Sequence, residues 1–338
     1  MMKKRICFAA LAVCLLLTAC GTQKKVESYY IATGAHQCCA AVGDNLMSAT
    51  TAGVCVYDAN GEVAFDSARE FKYPAVCENA DTAAAYDIGG TEVVFSDGSG
   101  ISAKGNIISA ALSDSGHLAL CTEEAGYKGS VTVYSQDKAE VYKWYSADNW
   151  VVKAAVSPDG ERLAVLLSSD DGSSVKLFKL DSPDELGTFS ADGAVLGDIG
   201  WLGDKLCCVG TDKLCFADKN GKAKGEFPFD GKALGSYAFC GEEIVLELRA
   251  HSYGGAGTLV AVDDNAKQSG SADCGAEIEC FDYSGGKLLA LTQNKLLCYE
   301  SGLKLSCEVE QTGVQNALLR TNDALLISGA EVKFADIK

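Results

Sequence analysis

The chain has 338 residues, of which 48% are hydrophobic and 22% are charged, and its formal net charge at pH 7 is -17. The apolar fraction is large enough for a sizeable core, which excludes a disordered or collagenous chain. The excess of acidic residues excludes a nucleic-acid-binding protein, because a polyanionic backbone would be repelled.

The first twenty residues have the organisation of an export signal. Residues 3–5 are positively charged, residues 6–17 form an apolar run that is too short to span a membrane, and Leu17-Thr18-Ala19-Cys20 follows. This pattern resembles the lipobox of bacterial lipoproteins. The alternative is an ordinary secretory signal that is cleaved after Ala19.

The lipobox resemblance implies both the processing and the location of the chain. It implies that residues 1–19 are removed as a signal peptide, that Cys20 becomes a diacylated N-terminus, and that residues 20–25 form a short tether. Two acyl chains give stable attachment to a membrane. We therefore expect a protein anchored to the outer, extracytoplasmic face of the cell membrane, with residues 26–338 as one domain.

Cysteine is unusually frequent for an exported protein. The sequence contains 16 cysteines, and removing Cys7, Cys14 and Cys20 leaves 16 - 3 = 13 in the domain, an odd number. Most of them lie inside apolar runs such as Val54-Cys55-Val56, where a thiol behaves as a small buried hydrophobe. Free thiols in an exported chain suggest an anaerobic organism, because oxidant is then scarce.

Short strand-like runs recur along the whole domain, and turn residues separate them. One landmark is an apolar run that ends in an aromatic or apolar residue and is followed closely by an acidic or turn residue. Its copies stand at Tyr57, Phe95, Tyr134, Phe178, Phe216, Ala261, Tyr299 and Phe334. A period of about forty residues with four strands per unit is typical of β-propeller blades.

The repeat predicts an all-β fold, a single β-propeller of eight four-stranded blades, with seven blades as the alternative. The eighth unit has only three strands before the chain reaches Lys338, whereas residues 26–33 read as a strand that precedes the first unit. We expect this N-terminal strand to complete the last blade, which removes two exposed sheet edges. An open array with frayed ends is the other possibility.

One repeat carries a recognisable turn. The segment Ser157-Pro158-Asp159-Gly160 resembles the turn of WD40-like and quinoprotein-like propellers, and residues 113–118 resemble it in part. As a whole, the chain resembles the uncharacterised propeller lipoproteins of Gram-positive anaerobes. This resemblance implies a compartment and a fold but no activity.

The longest predicted connections mark a candidate binding surface. Three connections between second and third strands are elongated, at residues 122–129, 168–174 and 250–257, and one connection between blades is rich in tryptophan. Exposed tryptophan and tyrosine are common binding anchors. The candidate residues are Tyr127, Trp144, Tyr145, Trp150, His251 and Tyr253. The alternative is that the tryptophans pack between neighbouring blades.

The sequence offers no recognisable catalytic or metal motif. Its three histidines fall in separate repeats, and no nucleophile elbow or phosphate-binding loop is present. Asp58-Ala59-Asn60-Gly61 resembles a fragment of a calcium loop, but a hairpin turn explains it more simply. The adjacent pairs Cys38-Cys39 and Cys207-Cys208 would point to opposite faces of a strand. We therefore expect no catalytic residue, no metal and no cofactor.

These patterns favour a non-catalytic binding or scaffold module. We expect its partners to be the membrane, through the lipid anchor, and an envelope protein or glycan, but not nucleic acid. The alternative is a propeller enzyme, similar to quinone-dependent dehydrogenases or active on polysaccharide, with its catalytic groups at the mouth of the central channel.

Overall fold

The computed structural model describes residues 27–191 and 194–337. The predicted signal peptide, Cys20 and the tether lie outside the described residues. Within those ranges the secondary structure is almost entirely β, with thirty-two strands and one short 3₁₀ turn, Ser301–Leu303. No helix in this part of the chain is long and apolar enough to cross a membrane.

The strands form eight antiparallel sheets of four strands each. Strand β1 (Ser28–Tyr30) precedes the first sheet. Blade 1 consists of β2 (Cys38–Val42), β3 (Asn45–Thr50), β4 (Gly53–Tyr57) and β5 (Val63–Ser67), and blade 2 of β6 (Pro74–Glu78), β7 (Ala83–Asp87), β8 (Glu92–Phe95) and β9 (Gly100–Ser102). Blade 3 consists of β10 (Ile107–Leu112), β11 (Leu118–Thr122), β12 (Ser130–Tyr134) and β13 (Glu140–Tyr145), and blade 4 of β14 (Trp150–Val156), β15 (Arg162–Ser169), β16 (Gly172–Lys179) and β17 (Glu185–Ser190).

The second half of the chain repeats this plan. Blade 5 consists of β18 (Leu196–Leu202), β19 (Lys205–Gly210), β20 (Lys213–Asp218) and β21 (Ala223–Pro228), and blade 6 of β22 (Ala233–Cys240), β23 (Glu243–Arg249), β24 (Thr258–Asp263) and β25 (Gln268–Asp273). Blade 7 consists of β26 (Ile278–Ser284), β27 (Lys287–Thr292), β28 (Lys295–Glu300) and β29 (Lys304–Glu310). Blade 8 consists of β30 (Asn316–Leu319), β31 (Ala324–Ser328) and β32 (Glu331–Ala335), to which β1 is added.

The eight blades close into a ring, so the predicted eight-bladed propeller is confirmed. The first strand of each blade lies beside the first strand of the next, and β2 of blade 1 lies beside β30 of blade 8. Strand β1 pairs antiparallel with β32, with Tyr29 opposite Val332. The N-terminal strand therefore completes the last blade as predicted, and among the described residues 27–33 of the expected range it covers Ser28–Tyr30.

The core is divided among the interfaces between blades. Eight clusters of buried apolar residues occur, one at each interface, including the interface of blade 8 with blade 1. Strand β15 shows how this arises, because Leu163 and Val165 pack towards blade 3 while Ala164 and Leu166 pack towards blade 5. The inner strands are thus apolar on both faces, which is why they read as continuous apolar runs.

The antiparallel order gives the ring two different ends. Turns between first and second strands, and between third and fourth strands, lie at one end, which we call the turn end. Connections between second and third strands, and those between blades, lie at the other end, which we call the loop end. Strand β1 is the outermost strand of its blade, and its antiparallel pairing with β32 means that the chain enters it from the turn end.

One predicted loop is not a loop. Residues 168–174 were expected to form an elongated connection, but β15 and β16 continue outward and pair up to Ser169 opposite Gly172. The extra residues lengthen the two strands, because their backbone N–H and C=O groups then hydrogen-bond to each other and not to water. The other two elongated connections are present between strands at residues 123–129 and 250–257.

Candidate functional site

Three of the predicted surface aromatics meet at the loop end, where blade 3 adjoins blade 4. Tyr127 lies in the connection between β11 and β12, Tyr145 ends β13, and Trp150 begins β14. Their exposed fractions are 47%, 40% and 58%, respectively. Residues from a loop, an outer strand and an inner strand therefore share one solvent-facing surface.

Two lysines complete this surface. The rings of Tyr127 and Tyr145 have centroids 4.9 Å apart, and the Lys143 ammonium lies 4.9 Å from the Tyr145 ring centroid. The Lys128 ammonium lies 4.3 Å from the centroid of the Trp150 ring. We call Tyr127, Lys128, Lys143, Tyr145 and Trp150 the aromatic platform. Cation–π contacts of this kind contribute about 0.5–1 kcal/mol each at exposed sites.

Backbone hydrogen bonds join the two segments that carry the platform. The Lys128 N–H donates to the Ser146 carbonyl at 2.7 Å, and the Ser146 N–H donates to the Gly129 carbonyl at 2.9 Å. The buried Ser146 hydroxyl donates to the Asn149 carbonyl. The loop and the connection between the blades are thus held together without a ligand.

The platform carries charges of both signs. The Lys143 ammonium lies 3.6 Å from a Glu124 carboxylate oxygen. Although partial burial opposes the effect, Tyr145 and Glu124 raise the pKa of Lys143 above its usual value. Glu123, the preceding residue, is directed away from the platform towards the connection between blades 2 and 3, where its carboxylate accepts a hydrogen bond from the Asn106 amide at 2.8 Å.

Two of the three tryptophans have structural roles. Trp144 packs on the Phe178 ring, with centroids 5.1 Å apart, in the cluster between blades 3 and 4. Trp201 is buried, and its indole N–H donates to the Ala155 carbonyl of blade 4 at 3.1 Å. Of the two tryptophans predicted for the candidate surface, Trp144 therefore packs between blades, as the alternative held, whereas Trp150 is exposed.

His251 and Tyr253 form a separate exposed feature on blade 6, two blades further round the ring. Their rings stack in parallel with centroids 5.0 Å apart, and Tyr253 is 84% exposed. Glu277 holds their loop, because one carboxylate oxygen accepts from the Gly255 N–H at 3.2 Å and the other binds Arg249 at 2.8 Å. The structure thus places three of the six predicted residues on the platform and two on blade 6, whereas Trp144 packs between blades.

The central channel contains a cavity at the opposite end. Its volume is about 790 Å³, and its walls come from the first strands of the blades and the turns that follow them. Glu78, Lys153 and Asp282 are charged residues of the wall. Desolvation, together with the nearby Asp282 carboxylate, raises the pKa of Glu78 to about 8, and desolvation also raises the pKa of Asp282.

A polar chain in the channel links three consecutive blades. The Lys153 ammonium of blade 4 lies 2.5 Å from the Asp198 carboxylate of blade 5. The Tyr237 hydroxyl of blade 6 donates to the other Asp198 oxygen at 2.8 Å. Asp282 plays a similar part between blades 7 and 8, because it accepts the Leu319 N–H.

The described residues include no group of three or more side chains placed to hold a metal ion. All thirteen cysteines in this part of the chain are free. Cys207 and Cys208 face different blade interfaces, as the alternation of a strand predicts. The Asp58 carboxylate accepts the backbone N–H groups of Asn60 and Glu62, so this segment is a capped turn.

Sequence reasoning overlooked the lysines of the platform and the charged groups of the channel. The channel groups had a signal, because Lys153 interrupts an otherwise apolar innermost strand and Glu78 ends another. The platform lysines had no such signal, since a lysine in a loop (Lys128) or in the outermost strand of a blade (Lys143) is ordinary in a sequence.

Solved structures with the same architecture include natural and designed propellers. BamB from Moraxella catarrhalis superposes with a TM-score of 0.58 at 11% identity, covering 93% of this chain and 99% of that one. The computationally designed Ika8 protein gives 0.65 at 14% identity, with 90% and 98% covered. The β-propeller domain of Cps50 (Swd1) from Myceliophteria thermophila gives 0.54 at 12% identity, with 78% and 95% covered. At these identities the likeness concerns the fold alone.

No curated protein matches the sequence. A family model does match, over residues 21–317, which is nearly the whole propeller. The chain therefore belongs to DUF5711, a family of unknown function.

Proposed function

We propose that the protein is a membrane-anchored, extracytoplasmic binding module whose propeller holds an envelope component at its loop end. The aromatic platform carries this proposal. It combines exposed rings, charged groups and a backbone that is already ordered, and such surfaces bind with little loss of entropy. The fold supports a binding or scaffold role, since its structural neighbours include BamB and a WD40-like domain.

The anchor and the platform fit together geometrically in this proposal. The chain enters β1 from the turn end, so a lipid on Cys20 would hold that end towards the membrane. The platform would then face away from the cell. Without the three cations of residues 3–5, the body would have 29 - 3 = 26 cations against 46 acidic residues, a net charge of -20, which would keep it from lying flat on an anionic lipid surface.

The anchor is tested by membrane fractionation of cells that express the protein or its Cys20→Ala variant. We expect the unaltered protein in the membrane pellet after a high-salt wash, because two acyl chains resist extraction by salt. The variant should retain its signal sequence or appear in the soluble fraction. If the variant pellets through the same wash and has the molecular mass of the processed, unaltered protein, the lipid anchor is wrong.

The binding role is tested by quantitative recovery of envelope components on the immobilised protein. Trp150→Ala should lower the recovery of the bound component at least tenfold. Tyr30→Ala, which removes a ring that is 72% exposed on the outermost strand of blade 8, should leave recovery unchanged. Equal recovery by Trp150→Ala and the unaltered protein would exclude the platform as the binding surface.

One observation favours a second candidate, a polysaccharide-active enzyme. The Glu78 and Asp282 carboxyl groups both line the channel cavity, and pairs of carboxyl groups carry out glycoside hydrolysis. Release of reducing sugar ends from a bound polysaccharide, and its loss in Glu78→Gln, would favour this candidate over a binding module.

A further inference from the structure

We propose that the aromatic platform binds a neutral, hydroxyl-rich polysaccharide. This inference rests on the proposed binding function and specifies its ligand. It is drawn from the exposed rings of the platform, the ion pair beside them, the small size of the platform and its rigidity.

The rings offer flat apolar surfaces of the size of a sugar unit. Trp150 is 58% exposed although Lys128 covers part of its ring. Tyr127 and Tyr145 form a second surface beside it. Aromatic side chains combine a large apolar area with a polar edge, and a pyranose ring is likewise apolar on its C–H face and polar at its rim.

The surroundings of the rings suit hydroxyl groups. Each hydroxyl both donates and accepts hydrogen bonds, so its best partners include donors and acceptors side by side. Lys128 and Lys143 are donors, whereas the Glu124 carboxylate is an acceptor. Lys143 and Glu124 lie 3.6 Å apart, close enough to engage neighbouring hydroxyls of one sugar.

Charge argues against an anionic polymer. Of the two platform lysines, Lys143 is paired with the Glu124 carboxylate at 3.6 Å, so its charge is largely compensated. The chain as a whole carries -17. A polymer of phosphate or uronate units would be repelled over its whole length, and the platform could not offset this repulsion.

Size and composition argue against a protein partner at this surface. Stable protein interfaces bury about 800 Å² on each partner and have centres that are poor in lysine and glutamate. The platform presents only three exposed rings, and lysines lie directly over two of them. A polysaccharide does not require an interface of that size, because any of its small repeating units can bind to the same rings.

The platform is also ordered before binding. Hydrogen bonds between residues 128–129 and Ser146 join its two segments, and the Ser146 side chain closes the connection between the blades. A ligand therefore does not have to order the loops, and even a modest contact area gives measurable affinity.

Co-sedimentation with insoluble polysaccharides tests the proposal. The probes are chitin and cellulose as neutral polymers and wall teichoic acid, immobilised on beads, as an anionic one. We expect the purified protein to pellet with at least one neutral polymer and not with teichoic acid. Trp150→Ala and Tyr145→Ala should each weaken retention at least tenfold, whereas Tyr30→Ala should not, and circular dichroism should show that every variant is folded.

The outcomes separate this inference from the proposed function. Retention on teichoic acid alone, on none of the probes, or equally by Trp150→Ala would make the inference wrong. If neutral polymers are not bound but recovery of an envelope protein still depends on Trp150, the inference fails and the binding function stands. If neither polymer nor protein recovery depends on Trp150, both fail.

Discussion

In several repeats, the acidic residue that follows the apolar run is an aspartate that closes a turn. At the turns between third and fourth strands, Asp58, Asp218 and Asp263 each accept two backbone N–H groups of their own turn. These hydrogen bonds are the main reason that the pKa of Asp58 is lowered. An aspartate that closes a turn recurs for local reasons, so the periodicity needs no calcium.

Glu78 is a channel residue whose protonation affects the stability of the fold. Desolvation and Asp282 raise its pKa from 4.5 to about 8, so the folded protein binds its proton more tightly than the unfolded chain does. This tighter proton binding stabilises the folded state fully below pH 4.5, and the stabilisation is lost as the pH rises through about 8. We expect the free energy of unfolding to fall over this range and Glu78→Gln to remove that part of the fall.

Urea unfolding at a series of pH values between 4.5 and 8 measures this effect. Glu62→Gln, a change to an exposed turn residue outside the channel, is the matched control. An identical pH profile for Glu78→Gln and the unaltered protein would contradict the prediction.

At the scale of the element, the innermost strands share an irregularity. In blades 3 to 7 the pairing of the first and second strands shifts near the loop end. Lys153, Asp198 and Tyr237 each follow directly after such a shift. A bulge re-aims the side chains beside it. The bulges thus bring three side chains from three strands into one hydrogen-bonded chain.

Removing the carboxylate at the centre of these three hydrogen-bonded side chains should destabilise the propeller ring. Asp198→Ala leaves the Lys153 ammonium and the Tyr237 hydroxyl without their partner, and we expect a loss of about 2 kcal/mol in the free energy of unfolding. Tyr237→Phe should cost about 1 kcal/mol. Denaturant unfolding provides the measurement.

An exposed ion pair provides the control for this prediction. Glu308 pairs with Lys295 at 2.6 Å, but both side chains are about 40% exposed. Glu308→Ala should therefore change stability by less than about 1 kcal/mol. Similar losses for Asp198→Ala and Glu308→Ala would show that the channel contacts are no stronger than surface contacts.

At the scale of the whole molecule, stability depends on how the ring closes. Tyr29 of β1 is 8% exposed and packs against Tyr57 of blade 1 and Phe334 of blade 8. The turn of blade 1 makes room for it at Gly61, where a Cβ atom would lie 2.2 Å from the Tyr29 ring. One side chain from the start of the domain therefore joins the first and last blades.

Tyr29→Ala should weaken the closure by about 3–5 kcal/mol, the usual loss for removing a buried aromatic ring from a core. Tyr30→Ala, at the adjacent and 72% exposed position, should change stability by less than about 0.5 kcal/mol. Thermal and urea unfolding of the two variants measure the difference. Equal stability of the two variants would mean that β1 does not contribute to closure.

Much of this architecture could be predicted from the sequence because its causes are local. Strands that are buried on both faces leave continuous apolar runs, and turns closed by aspartate or glycine recur at a regular interval. The number of blades, and the missing strand that β1 supplies, follow from counting these units. The identity of the candidate surface could be predicted only in part.

Only the tertiary structure decides which side chains meet. Trp144 and Trp150 lie close together in the sequence, yet one packs on Phe178 and the other is exposed, because their surroundings are built by the neighbouring blade. Lys153, Asp198 and Tyr237 are separated by about a blade length each in sequence and become partners only when the blades stand side by side. The sequence alone thus determined the repeating sheet and its closure, whereas contacts between blades determined the surface and the channel.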